Sequence, residues 1–196
     1  MSHRILTGLG LSIVGLVMAA GCKSPAPTGP VMISLQYRAT EVATSVQTPM
    51  KGTVSVIVTD QRDKKDTIGQ NIKDPMPRPV YTRDDPAAFV RGVVVQQLQS
   101  RGAMIAPTGT PATRQVSLQL MNFYTTESNM YRTAVQFNAQ VLGEDGQVLW
   151  KGLVNGANEK WGASYKAENY QESLSDATSD AVMSMLNHAG FVAAMK

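Results

Sequence analysis

A run of alternating apolar and polar residues in the second half of the chain restricts its fold more than any other feature. Val116, Leu118 and Leu120 are separated by single polar residues, and residues 135–141 repeat the pattern. Successive side chains of a β-strand point to opposite faces, so each segment has one apolar and one polar face. Both segments are therefore predicted to be strands of a sheet that is covered on one side only.

Turn and helix signals surround these strands. The sequence at residues 143–146 is typical of a tight turn and predicts a hairpin after the second strand. Asp85 and Pro86 have the residue types of a helix N-cap and first helical position, and Gly102 suits the end of that helix. A second helix with an apolar stripe is predicted from about residue 166 to 188.

Further strands are predicted at residues 31–37, 53–59, 103–106 and 147–154. Residues 60–83 contain three prolines and are predicted to be a long loop. The order of elements predicts an α+β fold, a two-layer sandwich in which two helices pack on one face of a mostly antiparallel sheet of four to six strands. Residues 31–196 are of ordinary length for one such domain.

The first 22 residues indicate export and lipid attachment. Arg4 precedes an apolar run over residues 5–20, and Cys22, the only cysteine, follows small residues. This order resembles the signal peptides of bacterial lipoproteins, which end before an acylated cysteine. The run is shorter than the roughly 20 apolar residues of a membrane-spanning helix. An ordinary secretory signal with an incidental cysteine and an uncleaved anchor remain as alternatives.

The expected mature protein is a tethered domain. We expect residues 1–21 to be removed, Cys22 to be lipidated, and residues 22–30, which contain three prolines, to form an extended tether. Lys23 follows the cysteine, whereas Asp at this position favours retention in the inner membrane in enterobacteria-like sorting. The protein is therefore expected at the periplasmic face of the outer membrane, with the inner membrane as the alternative.

Composition and motifs give no indication of catalysis. The chain has 18 Lys and Arg and 15 Asp and Glu residues without a basic cluster, which is not the pattern of a nucleic-acid-binding protein. His188 is the only histidine of the mature chain, too few for a zinc site, and is predicted to lie at a helix end. No phosphate loop, dinucleotide fingerprint or nucleophile elbow is present. We expect no enzymatic activity, cofactor, metal or nucleic acid.

Four side chains are candidates for a surface that binds a partner. Asp60 and Arg62 lie at the predicted end of a strand, where the alternative is a local ion pair. Tyr131 and Trp161 lie next to predicted turns, and aromatic residues in loops are enriched at interfaces. The alternative for both aromatic residues is that they close the ends of the core.

Several of these segments together resemble the YajG family of bacterial lipoproteins. The resemblance lies in residues 54–56 leading into 60–62, in 95–102, in 116–120 and in 163–186. The family is uncharacterised, so the resemblance implies localisation and fold but no activity. We expect a non-enzymatic envelope lipoprotein with a protein partner. The alternatives are an auxiliary subunit of an envelope transporter or secretion complex, and a cell-wall or envelope hydrolase.

Overall fold

The computed structural model describes residues 29–38, 52–73, 75–107, 109–162 and 164–196, which contain eight strands and three helices. The predicted signal peptide and Cys22 lie outside the described residues. The strands are β1 (Val31–Ile33), β2 (Thr53–Asp60), β3 (Gly69–Asn71), β4 (Arg78–Thr82), β5 (Met104–Ile105), β6 (Arg114–Glu127), β7 (Met130–Gly143) and β8 (Val148–Trp161). The helices are α1 (Pro86–Ser100), α2 (Ala167–Asn187) and α3 (Ala189–Ala194).

Strand β6 lies at the centre of a single mixed sheet. One edge of β6 pairs in parallel with β2 along its first half and with β3 along its last three residues. The other edge pairs with β7, which pairs with β8, and both of these long pairings are antiparallel. Strands β4 and β1 extend the sheet beyond β3, and β5 extends it beyond β2.

The predicted sheet of four to six mostly antiparallel strands is wrong, although the α+β class holds. The sheet has eight strands, and four of its seven pairings are parallel: β1 with β4, β2 with β5, β2 with β6, and β3 with β6. Helix α1 lies between β2 and β5 in the chain, and such a crossover is what parallel pairing requires. The predicted loop at residues 60–83 contains β3 and β4, and α3 adds a third helix.

The two predicted helices form close to the expected positions. The Asp85 carboxylate accepts a hydrogen bond from the Ala87 amide at 2.8 Å, which caps α1. Gly102, with φ of 85°, follows the end of this helix. Helix α2 spans nearly the range predicted for it. No helix in the described ranges is long and apolar enough to cross a membrane.

The core lies between the helices and one face of the sheet. Val116, Leu118 and Leu120 of β6 are buried there, as their alternation predicts. Helix α2 packs on β7 and β8. At Gly156 of β8 the helix backbone comes so close that an added Cβ would lie 2.1 Å from the carbonyl oxygen of Ala177. None of the three described helices packs on the opposite face of the sheet.

Candidate binding surface

The face of the sheet opposite the described helices carries a group of outward side chains that no described element covers. We call it the open face and define it by its members: Ile57, Gln119, Met121, Gln136, Asn138, Gln140, Lys151, Leu153 and Asn155. Leu153 is 59% exposed and Ile57 44% exposed, although both are large and apolar. Large apolar side chains that remain in solvent on one face are candidates for contact with a partner.

Neutral amides surround these apolar residues. Gln119 lies opposite Asn138, which lies opposite Leu153 on the next strand. The Gln136 amide nitrogen donates a hydrogen bond to the Asn155 side-chain oxygen at 2.6 Å. An amide group can both donate and accept several hydrogen bonds, so this surface can bind polar backbone groups without a charge requirement.

Two depressions follow the centre of the open face. The larger, about 390 Å³, lies between β6, β7 and β8 and is lined by Gln119, Asn138, Ala139, Gln140, Lys151, Gly152 and Leu153. The other, about 330 Å³, lies beside Met121, where the pairing of β6 with β7 shifts register between Leu120 and Asn122. Such bulges turn side chains outward, and Met121 is exposed here.

The Asp60 and Arg62 side chains form an ion pair within one loop. The Arg62 guanidinium donates to both Asp60 carboxylate oxygens, at 3.0 and 2.8 Å, and to the Thr67 carbonyl oxygen at 3.3 Å. Partial burial raises the pKa of Asp60, but the hydrogen bonds and charge of Arg62 outweigh it, and the pKa is lowered overall. Arg62 is only 5% exposed, so the local ion pair is the interpretation that the structure supports.

Tyr131 and Trp161 have opposite environments. Tyr131 is fully buried and packs edge-on against Tyr170, with ring centroids 5.0 Å apart, so it belongs to the core and not to a partner surface. Trp161 is the last residue of β8 and is 80% exposed. Of the four residues proposed from sequence, Trp161 is the one whose side chain is largely available at the surface, while Asp60 is partly exposed.

A buried polar network lies on the inner side of the sheet and was not found from sequence. The Glu127 carboxylate accepts hydrogen bonds from the Tyr165 amide at 2.8 Å and the Tyr170 hydroxyl at 2.6 Å. Burial raises the pKa of Tyr170, and the bond to Glu127 raises it further. The Arg78 guanidinium lies 4.0 Å from the centre of the Tyr165 ring. This network joins α2 to the sheet, because Tyr170 belongs to α2 and Glu127 to β6.

His188 has a structural role between two helices. Its Nδ1 atom accepts a hydrogen bond from the Gly190 amide at 3.1 Å, which caps α3. Its ring lies 5.4 Å from that of Trp150. Within the described ranges, no three His, Cys, Asp or Glu side chains are grouped so that they could hold a metal ion.

Comparison with known proteins identifies the class. A family described as uncharacterized lipoprotein matches residues 40–196, and the chain belongs to this family. The protein is thus a lipoprotein of an uncharacterised family, associated with a membrane of the cell envelope. This confirms the lipoprotein prediction at that level. No curated protein sequence matches the chain significantly.

Solved structures share the fold at low sequence identity. Protein XCC0632 of Xanthomonas campestris is 12% identical with a TM-score of 0.55, and the match covers 78% of this chain and 92% of that one. The hypothetical protein CT253 of Chlamydia trachomatis is 11% identical with a TM-score of 0.51, and the match covers 74% and 99%. At these identities the similarity establishes the fold alone.

Proposed function

We propose that the protein is a non-enzymatic lipoprotein, anchored by acylated Cys22 at the periplasmic face of the outer membrane, whose open face binds a protein partner. Membership of a lipoprotein family supports the anchor. The lone cysteine after a short apolar segment, followed by Lys23, supports the site of acylation and the choice of membrane. Within this class of lipoproteins, we propose that the protein is related to the YajG family, which its sequence resembles.

The observation that carries the partner proposal is the exposure of Leu153 and Ile57 among neutral amides on the open face. Protein interfaces combine an apolar centre with hydrogen-bonding groups and few charges. The open face has this composition, since Lys151 is the one ionisable member among its defining residues. Charged side chains lie at its margins, since Arg62, Asp63 and Lys64 line the second depression and Arg132 pairs with Glu159 on the same side of β7 and β8.

The non-enzymatic part of the proposal is supported by the uses that the polar side chains already have. His188 caps a helix, Asp60 binds Arg62, and Glu127 binds two tyrosine residues in the core. A hydrolytic site would need an acid or base that faces a substrate. Loss of an envelope hydrolase activity on changing His188 or Asp60, in a protein that stays folded, would contradict this part.

Site-specific crosslinking in intact cells tests the partner surface. A photoreactive residue at Leu153 is expected to give a discrete protein adduct, because its side chain projects from the open face. The matched control is Gln96, an exposed residue of α1 on the opposite side of the molecule. Equal adducts from both positions, or none from Leu153, would contradict the surface. An adduct that copurifies with a transporter or secretion complex would favour the auxiliary-subunit form.

Acylation is tested separately. The protein is expected to incorporate labelled palmitate and fractionate with the outer membrane, and Cys22→Ala is expected to lose the label. Lys23→Asp is the matched control for sorting, since it keeps the cysteine and is expected to move the labelled protein towards the inner membrane. Unlabelled wild-type protein would contradict the anchor without affecting the partner surface.

A further inference from the structure

The described chain enters the fold at one particular end of the sheet. Val31 of β1 pairs with Val80, Val80 with Gly69, and Gly69 with Thr125 near the end of β6. Strand β1 runs antiparallel to β6, so the residues before Val31 lie on the side of the β6–β7 turn. We call this the tether end, formed by residues 72–73, 75–77 and 128–129 and the last residues of β8.

The tether end carries large apolar side chains in solvent. Trp161 is 80% exposed, Met76 78% and Ile72 44%. Ile72 continues β3 beyond the end of β6, since its amide donates to the Glu127 carbonyl oxygen at 2.7 Å. Trp161 lies opposite Met130, directly after the β6–β7 turn. These residues come from separate elements that share this end of the sheet.

The length of the chain between the lipid site and the domain restricts the orientation. Nine residues from Cys22 to Val31 span at most about 32 Å in any conformation. Arg114 and Gly143, which pair at the opposite end of the sheet, lie eleven residues along β6 from Thr125. The same span takes ten residues on β7, from Thr133 to Gly143, or roughly 33 Å, so only a fully extended tether would approach the opposite end, whereas the tether end is within easy reach of the membrane.

We propose that the tether end rests on the bilayer that holds Cys22, with Trp161, Met76 and Ile72 in the headgroup region. The proposal rests on the lipid anchor of the proposed function. Tryptophan is enriched at the membrane interface because its ring is apolar and its N–H can still bond to polar groups. The charge near this end is small, because the exposed Lys73 and Lys166 are partly offset by the exposed Glu168. We therefore expect apolar contact to carry the interaction.

This orientation also explains how both surfaces can act at once. The strands of β6, β7 and β8 would rise away from the membrane, so the open face stands beside it and not against it. Leu153 lies eight residues before Trp161 on β8, roughly 26 Å further from the bilayer along the strand. A partner could therefore reach the open face while the domain remains on the membrane.

Fluorescence of the complete lipidated protein in vesicles tests the proposal. Trp150→Phe leaves Trp161 as the only tryptophan, and the vesicles contain phosphatidylethanolamine and phosphatidylglycerol with nitroxide-labelled lipids. The expected result is a blue shift and quenching of Trp161 emission. The matched control carries Trp150→Phe, Trp161→Phe and Glu144→Trp, which places the only tryptophan in the turn at the opposite end. Its emission is expected to stay unquenched, and circular dichroism checks that both variants fold.

Flotation of the same samples separates the two proposals. Protein that fails to float with the vesicles contradicts the lipid anchor. Protein that floats while Trp161 stays unquenched, or while both tryptophan positions are quenched equally, overturns the orientation and leaves the anchor intact. Protection of Trp161 that requires added envelope proteins assigns the tether end to a protein partner and also overturns it. Similar quenching in vesicles of phosphatidylcholine alone is expected, because apolar contact carries the interaction.

Discussion

The hydroxyl group of Tyr170 on α2 donates a 2.6 Å hydrogen bond to the carboxylate of Glu127 at the end of β6. Both residues are fully buried. The second carboxylate oxygen accepts from the Tyr165 amide, in the segment that connects β8 to α2. One buried carboxylate therefore holds the start of α2 and the segment before it against the end of β6, the central strand of the sheet.

Removal of the Tyr170 hydroxyl is expected to destabilise the fold. Tyr170→Phe keeps the ring but leaves the buried Glu127 carboxylate with one donor fewer, at a cost of about 1–3 kcal/mol. Urea unfolding followed by circular dichroism measures the loss. Tyr81→Phe is the control, because Tyr81 is a partly exposed tyrosine of β4. Equal stability of the two variants would show that the buried bond contributes little.

The Glu127 network is a part of the structure that sequence patterns do not predict. Thr125 and Glu127 occupy inward positions of β6 that an apolar alternation would fill, so residues 125–130 read as a polar turn. The partner of Thr125 is Thr133, whose hydroxyl in turn contacts that of Ser173 at 2.6 Å. The hydrogen-bonded partners in this network lie up to 43 residues apart in the chain, and no local signal identifies them.

Local signals predicted α1 and α2 well, missed α3, and predicted the sheet poorly. The Asp85 cap and Gly102 define α1 from neighbouring residues alone. Pairing of β3 with β6 joins residues more than 50 positions apart, and register of this kind is set by the whole fold. The same difficulty applies to Tyr131 and Trp161: both lie next to predicted turns, but strand alternation directs Tyr131 inward and Trp161 outward.

Loss of the Asp60 charge is expected to destabilise the loop after β2. Asp60→Asn leaves Arg62, a largely buried cation, without its carboxylate, and breaking a buried pair costs about 3 kcal/mol. Asp63→Asn is the control, since Asp63 is an exposed neighbour. Thermal and urea unfolding compare the two, and a larger loss from Asp63→Asn would contradict the assigned pairing.

The Asp60 effect is also expected to depend on pH. The pKa of Asp60 is lowered in the folded protein below its ordinary value of 3.8, so the unfolded chain binds a proton first as pH falls. The stabilisation is therefore complete above pH 3.8 and is lost as pH falls through the folded-state pKa. The stability gap between wild type and Asp60→Asn should be constant near neutral pH and shrink in acid. A gap that widens in acid would contradict the sign of the shift.

Gly156 is expected to tolerate no side chain. In Gly156→Ala the new Cβ would meet the Ala177 carbonyl oxygen and, at 2.4 Å, the Ala181 amide nitrogen, both of which are helix backbone. Helix α2 must shift from β8, and overpacking of this kind costs about 1–3 kcal/mol or more. Gly92→Ala is the opposite control, because a Cβ there meets nothing within 4 Å and alanine favours the helix interior by about 1 kcal/mol. The urea concentration at the midpoint of unfolding should therefore fall for Gly156→Ala and rise for Gly92→Ala, each relative to the wild type.

Asp84 fixes the residues that follow β1 and should release them in acid. Its carboxylate accepts from the Leu35 amide at 2.6 Å and from the Ser34 hydroxyl at 3.0 Å. The Leu35 amide bond, followed by the Ser34 bond, lowers the pKa of Asp84 below 3.8, so its contribution is present above that value and lost as pH falls through the folded-state pKa. Hydrogen exchange of the Leu35 amide should be faster in Asp84→Asn than in wild type at neutral pH, and equally fast in both below the folded-state pKa. Unchanged exchange in the variant would contradict this role of Asp84 after β1, the connection between the tether and the domain.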